Sequence, residues 1–559
     1  MSLSAGTGRP AAPPREAPPG PSRAPRRRWL LGAVVAALLV QMAVAMVSTA
    51  VRQTPTIDEP VYIATGVVYL REHDLRYNPE HPPLGKLVIG AGAVAAGPRL
   101  DTSFTGDQFQ IGPHLLYRSG NDAQRVLLAA RLPVIALTLL FGLVVFAFAR
   151  DLTGPAGGLV ALALYCFSPD LIAHGSLATL DVPMAGFLLT SVWLVWRARR
   201  RPRLYLPLAG ASLGAAVATK MSALPAVPVL LVLVVLSVWA FRPGRRPVLT
   251  GVLAAAATGL LAIAVVWAAY LAVDPRLQWT TPDDLPDVEG LRGLAAGWMP
   301  FPRPFQDGMR VQFGFEDMRW TSFLFGDVYQ GSRWYYLPAA LLVKTPLGML
   351  ALWAAGVAAM AAVPRLRPAA PYVLLPAAVL LAVTMAGARD LGVRYAIYVP
   401  MFLAVAAAGT AVVRWRWTKV AAVVLLLLFV GVSSLRTYPY YLPYSNEAFG
   451  GPSKTHLRLH DSNVDWGQDL GRLADRLRTR YPGERVWLAY KGSGVPSYYG
   501  IHANDPLTAP PAQVRGLLVV SDSWIAKDDP RLTPLIRSSA RIDEVGHSIT
   551  IYRRSAQPS

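Results

Sequence analysis

The chain has 559 residues, of which 53% are hydrophobic, and a formal net charge of +20. This apolar share exceeds that of ordinary soluble proteins and predicts a membrane protein. On a soluble chain so positive a charge would indicate a nucleic-acid partner. Nearly all of the excess, however, lies in short arginine-rich segments between apolar runs, as in the cytoplasmic connections of membrane proteins. The placement of the basic residues therefore excludes nucleic acid as the reason for the positive charge. The single cysteine, Cys166, excludes an internal disulfide and a thiolate metal cluster.

Apolar runs of close to twenty residues recur along the chain, and each approaches the length needed to cross a hydrocarbon core of roughly 30 Å. An odd number of spans after a basic first segment predicts a cytoplasmic N-terminus and an extracytoplasmic C-terminal segment. The long connections 52–125 and 273–334 then also lie on the extracytoplasmic side. The eleven predicted spans are residues 29–51, 126–149, 156–174, 182–196, 204–219, 223–241, 248–272, 335–362, 371–387, 395–413 and 420–435.

Changes in composition predict three domains. Residues 1–28 are rich in proline, alanine, glycine and arginine and cannot bury enough apolar surface to fold, so we predict a disordered basic cytoplasmic tail. Residues 29–435 form the transmembrane domain. Residues 436–559 contain two short apolar runs typical of strands, at 486–489 and 517–520, and a helical pattern at 470–480, which predict a small extracytoplasmic α/β domain.

Two adjacent carboxylates, Asp58 and Glu59, follow the first span and lie at the predicted extracytoplasmic surface. A carboxylate placed there can act as the general base that removes a proton from a hydroxyl group. The alternative is structural, because an aspartate before a Glu-Pro pair is a common helix cap. The two roles are compatible, and the sequence leaves both open.

The same connection contains the string Asn-Pro-Glu-His-Pro-Pro-Leu-Gly-Lys, which ends at Lys86. Its prolines restrict the backbone and bring His81 and Lys86 to the same surface. A lysine is a suitable partner for a phosphate group that leaves with negative charge. Alternatively, Lys86 reaches from an amphipathic segment toward the bilayer surface and His81 caps a turn.

Three further charged residues lie at the predicted extracytoplasmic ends of spans. Asp181 precedes the fourth span, Lys220 follows the fifth and Arg394 precedes the tenth. Charged side chains at these depths are costly unless they face a cavity or a partner. We therefore predict that all three face a cavity; a role in setting membrane topology is the alternative for the two cations.

These residues together resemble the GT-C glycosyltransferases, the superfamily of protein O-mannosyltransferases and aminoarabinose transferases. The string from His81 to Lys86 carries the most specific part of the resemblance. Residues 335–346 and the segment Asp461–Asp469 are similar to a bacterial branch of phospholipid-carrier-dependent glycosyltransferases. The resemblance covers residues 29 to about 500. It implies an α-helical integral membrane protein of the GT-C type, with about eleven transmembrane helices and a small C-terminal extracytoplasmic α/β domain.

The resemblance also implies an activity, namely the inverting transfer of a sugar from a polyprenyl-phosphate donor to an acceptor hydroxyl on the extracytoplasmic face. The implied partners are the lipid-linked sugar, the bilayer, and an acceptor protein, lipid or glycan. No definite cofactor is implied, and a divalent cation stays open because the loop carboxylates fit either case. The implied site residues are the catalytic Asp58 and Glu59, the phosphate-binding Lys86 and Arg394, and the cavity-lining His81, Asp181 and Lys220.

Some alternatives remain open at this level. The connection from Asp274 to Trp334 is too short for the β-trefoil domain of eukaryotic protein mannosyltransferases, so the resemblance does not imply a protein acceptor. We predict a structural role for Asp465–Asp469, with Asp465 capping the following helix; contact with the acceptor or the donor is the alternative. A transporter or flippase of lipid-linked sugars is the competing class, since eleven spans with interfacial charges would suit one. Charges gathered at one face, without an internal repeat, favour the transferase.

Overall fold

The computed structural model describes residues 23–241, 247–413 and 417–554. Most of the predicted disordered tail therefore lies outside the described residues, as do the basic residues 242–246. The first helix begins at Arg23. Residues 23–28, which we predicted as part of the tail, belong to this helix instead.

Helices dominate the described chain up to residue 437, with one short hairpin, β1 (Thr321–Leu324) and β2 (Asp327–Gln330). The helices in this part are α1 (Arg23–Arg52), α2 (Glu59–Arg71), α3 (Pro83–Ala95), α4 (Gln108–Pro113), α5 (Ala123–Thr153), α6 (Pro155–Cys166), α7 (Pro169–Gly175), α8 (Asp181–Ala198), α9 (Pro202–Thr219), α10 (Ala226–Phe241), α11 (Pro247–Val273), α12 (Gly290–Trp298), α13 (Arg303–Asp317), α14 (Tyr336–Lys344), α15 (Leu347–Ala362), α16 (Ala370–Met385), α17 (Tyr398–Ala407) and α18 (Trp417–Thr437).

Each predicted span coincides with a helix or a helical pair. In the described residues, five helices are long and apolar enough to cross a membrane by themselves, and seven spans result if each of two bent pairs counts as one. The chain is therefore a multi-pass membrane protein, whereas the number of eleven spans and the orientation of the termini stay predictions.

The two bent pairs are α6 with α7, at 62°, and α14 with α15, at 119°. Each bend has a proline at its centre. Ser168 and Thr345 directly precede a proline and adopt extended backbone conformations. A residue before proline is disfavoured in the helical region, so the helix ends there and restarts in a new direction.

A small sheet follows the last long helix, as the sequence predicted. Its strands are β3 (Val486–Ala489), β4 (Ala503–Asn504), β5 (Gly516–Ser521), β6 (Ala540–Val545) and β7 (Ile549–Arg554), and its helices are α19 (Leu470–Arg480), α20 (Asp522–Ile525) and α21 (Leu532–Arg537). The strand order is β4-β3-β5-β7-β6. Strand β3 pairs in parallel with β4 and β5, and β7 pairs antiparallel with β5 and β6.

Alternate residues along β5 serve two small cores. Leu517 and Val519 pack with α19, whereas Leu518 and Val520 pack with α21 on the other face. Because side chains alternate across a strand, one continuous apolar run fills both sides of the sheet. The C-terminal region is therefore a three-layered α/β unit with its own core.

Helices α2 and α3 approach each other so closely that glycine is required at their contact. A Cβ atom added to Gly66 would lie 2.3 Å from the carbonyl oxygen of Lys86 and 2.8 Å from the Cα of Gly90. Backbone atoms of two helices cannot move aside independently. This contact fixes the two helices that flank the connection carrying His81, and it sets the position of Asp58 at the start of α2.

We expect Gly66→Ala to destabilise the protein by about 1–3 kcal/mol, because the extra methyl group forces α2 and α3 apart. Thermal unfolding of the purified protein in lipid nanodiscs measures the effect. The matched control is Gly32→Ala in α1, where an added Cβ meets nothing within 4 Å. Equal unfolding temperatures for the two variants would contradict this account of the helix contact.

Candidate active site

A cavity of about 590 Å³ lies at the end of the helical bundle where α1 ends and α8 begins. Its volume is typical of small-molecule sites. The C-terminal domain contributes to its wall. The charged lining residues are Asp58, Glu80, Lys220, Arg319, Arg389, Arg394, Asp461, Lys491 and Lys527, and the aromatic ones are Tyr62, His81, Phe109, Phe315, Trp320, Tyr395 and Trp466.

Asp58 lies at the start of α2 and turns its carboxylate into the cavity. Its Oδ2 accepts a hydrogen bond from Nη1 of Arg394 at 2.7 Å, and its side chain is 25% exposed. Although Asp58 is the N-cap residue of α2, its side chain makes no capping hydrogen bond. The alternative prediction, that the Asp58 side chain caps the helix, is therefore wrong. The carboxylate accepts a hydrogen bond from the guanidinium of Arg394 instead.

The backbone before Asp58 is held by the C-terminal segment. Thr54 N–H donates to the carbonyl of Gln468 at 3.0 Å, and Ile57 N–H donates to the carbonyl of Trp466 at 3.0 Å. The hydroxyl of Ser493 donates to the carbonyl of Ile57 at 2.6 Å. These bonds join the first connection to a segment more than 400 residues later, so the position of Asp58 depends on both domains.

Glu59 points away from the cavity into the protein. Its carboxylate forms a two-pronged ion pair with Arg131 of α5, with Nε and Nη2 donating at 2.7 Å each. Thr56 donates to it through both backbone N–H and hydroxyl, and the N–H of Ala178 adds a further bond at 2.8 Å. Both Glu59 and Arg131 are fully buried. The structure thus places Glu59 where it supports the site without facing it.

Asp181, Lys220 and Arg394 come together beside Asp58. Lys220 Nζ donates to Oδ1 of Asp181 at 2.5 Å, and Nη1 of Arg394 lies 4.0 Å from Oδ2 of Asp181. Lys220 and Arg394 line the main cavity, whereas Asp181 lines a smaller one of about 30 Å³ directly behind it. Two cations and two carboxylates therefore form one network at the inner end of the cavity.

Lys86 lies behind the cavity wall. It is fully buried, and its ammonium group donates to the carbonyl of Asn78 at 2.6 Å and sits 4.9 Å from the ring centre of Tyr69. The loop that it holds carries Glu80 and His81, which do line the cavity. The structure therefore brings Lys86 near the site but does not place its ammonium group in the main cavity.

His81 faces the cavity as a neutral imidazole. Burial lowers its pKa well below the usual value, and the nearby cations, Lys220 first among them, lower it further. Its ring packs edge-on against Tyr62, with ring centres 5.7 Å apart, and its Nδ1 has no partner among the described residues. A neutral ring with a spare nitrogen can donate or accept a hydrogen bond to a bound hydroxyl.

Trp466 lines the cavity, although the sequence did not single it out as a site residue. It belongs to the segment Asp465–Asp469, for which we predicted a structural role with ligand contact as the alternative. The guanidinium of Arg394 lies 4.4 Å from its ring centre. The prediction that Asp465 caps α19 is wrong. Asp469 is the N-cap residue, and Asp465 instead accepts bonds from the N–H groups of Gly467 and Ser523 at 3.2 Å each.

Three further cations that line the cavity were not predicted from the sequence. Arg319, Lys491 and Lys527 lie in connections or in the C-terminal domain, far in sequence from Asp58. No local pattern in the sequence marks them, because only tertiary packing brings them to the cavity, which for Lys491 and Lys527 is the packing of the C-terminal domain on the bundle.

The carboxylates at this site do not gather as metal ligands. Within the described residues, no group of three or more histidine, cysteine, aspartate or glutamate side chains has a metal-binding arrangement. Asp58 is engaged by Arg394 and Asp181 by Lys220. Both carboxylates therefore have a cationic side chain of this chain as their partner.

A buried carboxyl group lies behind the C-terminal wall of the cavity. Burial raises the pKa of Asp522 to about 7, and the nearby Asp465 and Glu544 add to the rise. Its Oδ1 accepts a hydrogen bond from the hydroxyl of Thr550 at 2.8 Å, while Oδ2 has no hydrogen-bond partner in the described residues. Such a group is mostly protonated below about pH 7.

Comparison with known proteins agrees with this architecture. Residues 35–274 match the family described as dolichyl-phosphate-mannose-protein mannosyltransferase. ArnT from Cupriavidus metallidurans, solved with undecaprenyl phosphate bound, has a TM-score of 0.50 at 16% identity, over 94% of this chain and 98% of that chain. No curated protein matches the sequence.

Two further solved structures are similar at lower scores. The Saccharomyces cerevisiae protein O-mannosyltransferase Pmt1-Pmt2 complex, bound to the sugar donor, has a TM-score of 0.34 at 17% identity, over 44% of this chain and 33% of that chain. The Archaeoglobus fulgidus oligosaccharyltransferase in its apo form has a TM-score of 0.45 at 12% identity, over 82% and 59%.

The family match and the likeness to ArnT define the class: the chain has the fold of the GT-C glycosyltransferases. Within that class, the predicted resemblance to the protein O-mannosyltransferases and the aminoarabinose transferases is confirmed.

We expect Glu59→Gln to destabilise the protein by about 3–5 kcal/mol, because it leaves the buried charge of Arg131 without its counter-ion. Thermal unfolding in nanodiscs measures this. The matched control is Glu72→Gln, which removes a surface pair with Arg76 whose side chains are 19% and 44% exposed and should cost less than about 1 kcal/mol. An unchanged unfolding temperature for Glu59→Gln would show that the buried pair does not organise the site.

The raised pKa of Asp522 predicts a pH-dependent stability. Between about pH 4 and pH 7 the folded protein keeps a proton that the unfolded chain releases, so this contribution is present at low pH and is lost as the pH rises through about 7. We expect Asp522→Asn to gain on the order of 3 kcal/mol relative to the wild type between pH 5 and pH 8. Thermal unfolding across this range tests it, with the exposed Asp505→Asn as control. Parallel pH profiles for wild type and Asp522→Asn would contradict the assignment.

Proposed function

We propose that this protein is a membrane glycosyltransferase that transfers a sugar from a polyprenyl-phosphate donor to an acceptor hydroxyl on the extracytoplasmic face. One observation carries the proposal. A carboxylate, Asp58, and two cations, Arg394 and Lys220, face the same cavity at the end of a membrane helix bundle. Glycosyl transfer from a lipid phosphate requires a base for the acceptor and positive charge for the leaving group, and this cavity supplies both.

The comparisons support the lipid-linked donor. The matched family is described by a dolichyl-phosphate sugar, and ArnT, whose fold this chain shares, was solved with undecaprenyl phosphate. A donor of this kind keeps its chain in the bilayer and presents its phosphate at the membrane surface. The network of Asp58, Asp181, Lys220 and Arg394 lies at the ends of helices, where such a phosphate would arrive.

In the proposed reaction Asp58 accepts the proton of the acceptor hydroxyl. The acceptor oxygen then forms a bond to the anomeric carbon, and the bond between that carbon and the phosphate oxygen breaks with inversion. The electron pair of that bond leaves with the phosphate, whose charge rises from about −1 to about −2. No nucleotide and no second carrier is required, since the phosphoester itself activates the sugar.

Arg394 and Lys220 stabilise the charge that develops on the departing phosphate. Arg394 contacts Asp58 through Nη1, while its Nε lies buried without a partner in the described residues. A guanidinium presents several donors in a fixed plane, so it can hold the base and contact a phosphate oxygen at once. Lys86 adds positive charge from behind the wall and holds the loop that presents His81.

The remaining assignments follow from position. Glu59 fixes the backbone next to the base through Arg131, Asp181 orients Lys220, and His81 contacts hydroxyl groups of the bound sugar. The donor sugar is a hexose or a pentose in a mannosyltransferase-like site. The acceptor is a protein, a lipid or an envelope glycan. We place residues 1–28 in the cytoplasm, the transmembrane domain at 29–435 with about eleven spans, and the α/β domain at 436–559 on the extracytoplasmic side.

A flippase for lipid-linked sugars would place its ionisable groups around a mid-membrane path that opens alternately to both sides. The network around Asp58 instead lies at one end of the bundle, under a fixed C-terminal domain that hydrogen-bonds to the same connection. This arrangement supports chemistry at one face over transport between two.

We expect Asp58→Asn to lower the rate of sugar transfer about 10²–10⁴-fold, because the amide cannot accept the acceptor proton. The measurement uses the purified protein in nanodiscs with radiolabelled polyprenyl-phosphate sugars and counts sugar released from the lipid. The matched control is Asp74→Asn, a partly exposed carboxylate in the same connection that does not line the cavity, which should retain wild-type turnover.

Two results would contradict the proposal. Turnover that persists in Asp58→Asn would remove the base assignment. Movement of intact lipid-linked sugar between the leaflets of a vesicle, without cleavage of the sugar from its lipid, would replace the transferase by a transporter.

A further inference from the structure

The cavity contains a second group of cations that the proposed reaction does not use. Lys491 follows strand β3 and Lys527 follows α20, so both belong to the C-terminal domain, and Arg319 lies between α13 and β1. All three line the same cavity as Asp58 and Arg394. These three cations therefore belong to the site, although none of them lies on a helix of the bundle.

The charges of this cavity are not balanced. Six lysine and arginine side chains line it, against the three carboxylates Asp58, Glu80 and Asp461. Four of the six cations have a carboxylate within ion-pair distance: Lys220 with Asp181, Arg389 with Glu316, Arg394 with Asp58, and Lys491 with Asp461. Within the described residues, Lys527 and Arg319 have none. The ammonium group of Lys527 lies 5.1 Å from the centre of the Trp524 ring.

Lys527 is held in an unfavourable position for a cation. Burial lowers the pKa of its ammonium group, the neighbouring Lys491 lowers it further, and only Asp461, already paired with Lys491, opposes the shift. Like charges placed together in a partly desolvated site are costly unless an anion binds between them. An arrangement of this kind is expected where a ligand supplies the missing negative charge.

We propose that Lys527, Arg319 and Lys491 form a second anion-binding subsite, which binds a phosphate or carboxylate group of the acceptor. This inference rests on the proposed function. It narrows the acceptor to a molecule that carries a negative charge near the hydroxyl to be glycosylated.

The position of the subsite assigns it to the acceptor and not to the donor. The donor phosphate must lie next to Arg394 and Lys220, because its lipid chain stays in the bilayer and its sugar must reach Asp58. In an inverting transfer the acceptor approaches the sugar on the side opposite the leaving group. Lys491 and Lys527 come from the C-terminal domain, whereas Lys220 and Arg394 lie at the ends of bundle helices, so we assign the first pair to the acceptor.

The test separates the two subsites by loading them in turn. Purified wild-type protein in nanodiscs is first saturated with undecaprenyl phosphate, and inorganic phosphate is then titrated while tryptophan fluorescence is recorded, since Trp320, Trp466 and Trp524 lie in or beside the cavity. We expect a second saturable change. Lys527→Gln should weaken it about tenfold or more, as expected for the loss of a charge-assisted hydrogen bond, and Lys527→Arg should restore it. Lys454→Gln, an exposed lysine of the C-terminal region, is the matched control.

Titration with acetate in place of phosphate distinguishes a carboxylate-binding from a phosphate-binding subsite. Saturable binding of either anion supports the subsite. Binding of undecaprenyl phosphate without any second phosphate change, or equal affinities in Lys527→Gln and Lys454→Gln, overturns the subsite and leaves the proposed function standing. Weaker binding of undecaprenyl phosphate itself in Lys527→Gln would assign these cations to the donor and overturn the inference. Failure of undecaprenyl phosphate to bind at all would instead overturn the proposed function.

Discussion

The buried ion pair between Glu59 and Arg131 is the constraint on which the rest of the site depends. Beyond Glu59, Arg131 donates to the carbonyl groups of Ala50, Gln53 and Thr54, so its guanidinium joins the end of α1 to the first connection. Glu59 adds α2 and the turn before α8. Two charges removed from water are stabilising only when their hydrogen-bonding capacity is satisfied. Here each Arg131 nitrogen has an acceptor, and the pair fixes several segments in one geometry.

Fixing Glu59 also fixes its neighbour. Consecutive residues at the start of a helix point in different directions, so a carboxylate anchored in the protein and a carboxylate directed into the cavity can stand side by side in the sequence. The Asp58 side chain thereby meets Arg394 without needing a helix cap. The same logic applies to Asp181, which holds Lys220 from behind the wall. Asp58 and Lys220, which face the cavity, thus each depend on a buried carboxylate, Glu59 or Asp181, that does not line it.

Much of the fold was predictable from the sequence, because long apolar runs indicate the membrane helices and short apolar runs indicate strands β3 and β5 of the C-terminal sheet. The cluster of Asp58, Lys220 and Arg394 was predictable as well, since membrane topology alone brings the ends of alternate spans to one face. Two kinds of feature were not. The burial of Lys86 follows from side-chain packing against Tyr69, and the entry of Trp466 and Lys491 follows from how two domains dock. Neither leaves a local signal in the sequence.

The docking of the C-terminal domain gives it a direct influence on the chemistry. The connection before Asp58 takes its backbone partners from the segment around Trp466 and from Ser493, and Asn463 accepts a bond from the N–H of Val393, next to Arg394. The same short stretch therefore positions Asp58 on one side and its cationic partner Arg394 on the other. A shift of the domain would change the distance between Asp58 and Arg394, so this soluble unit belongs to the active site as much as the helices do.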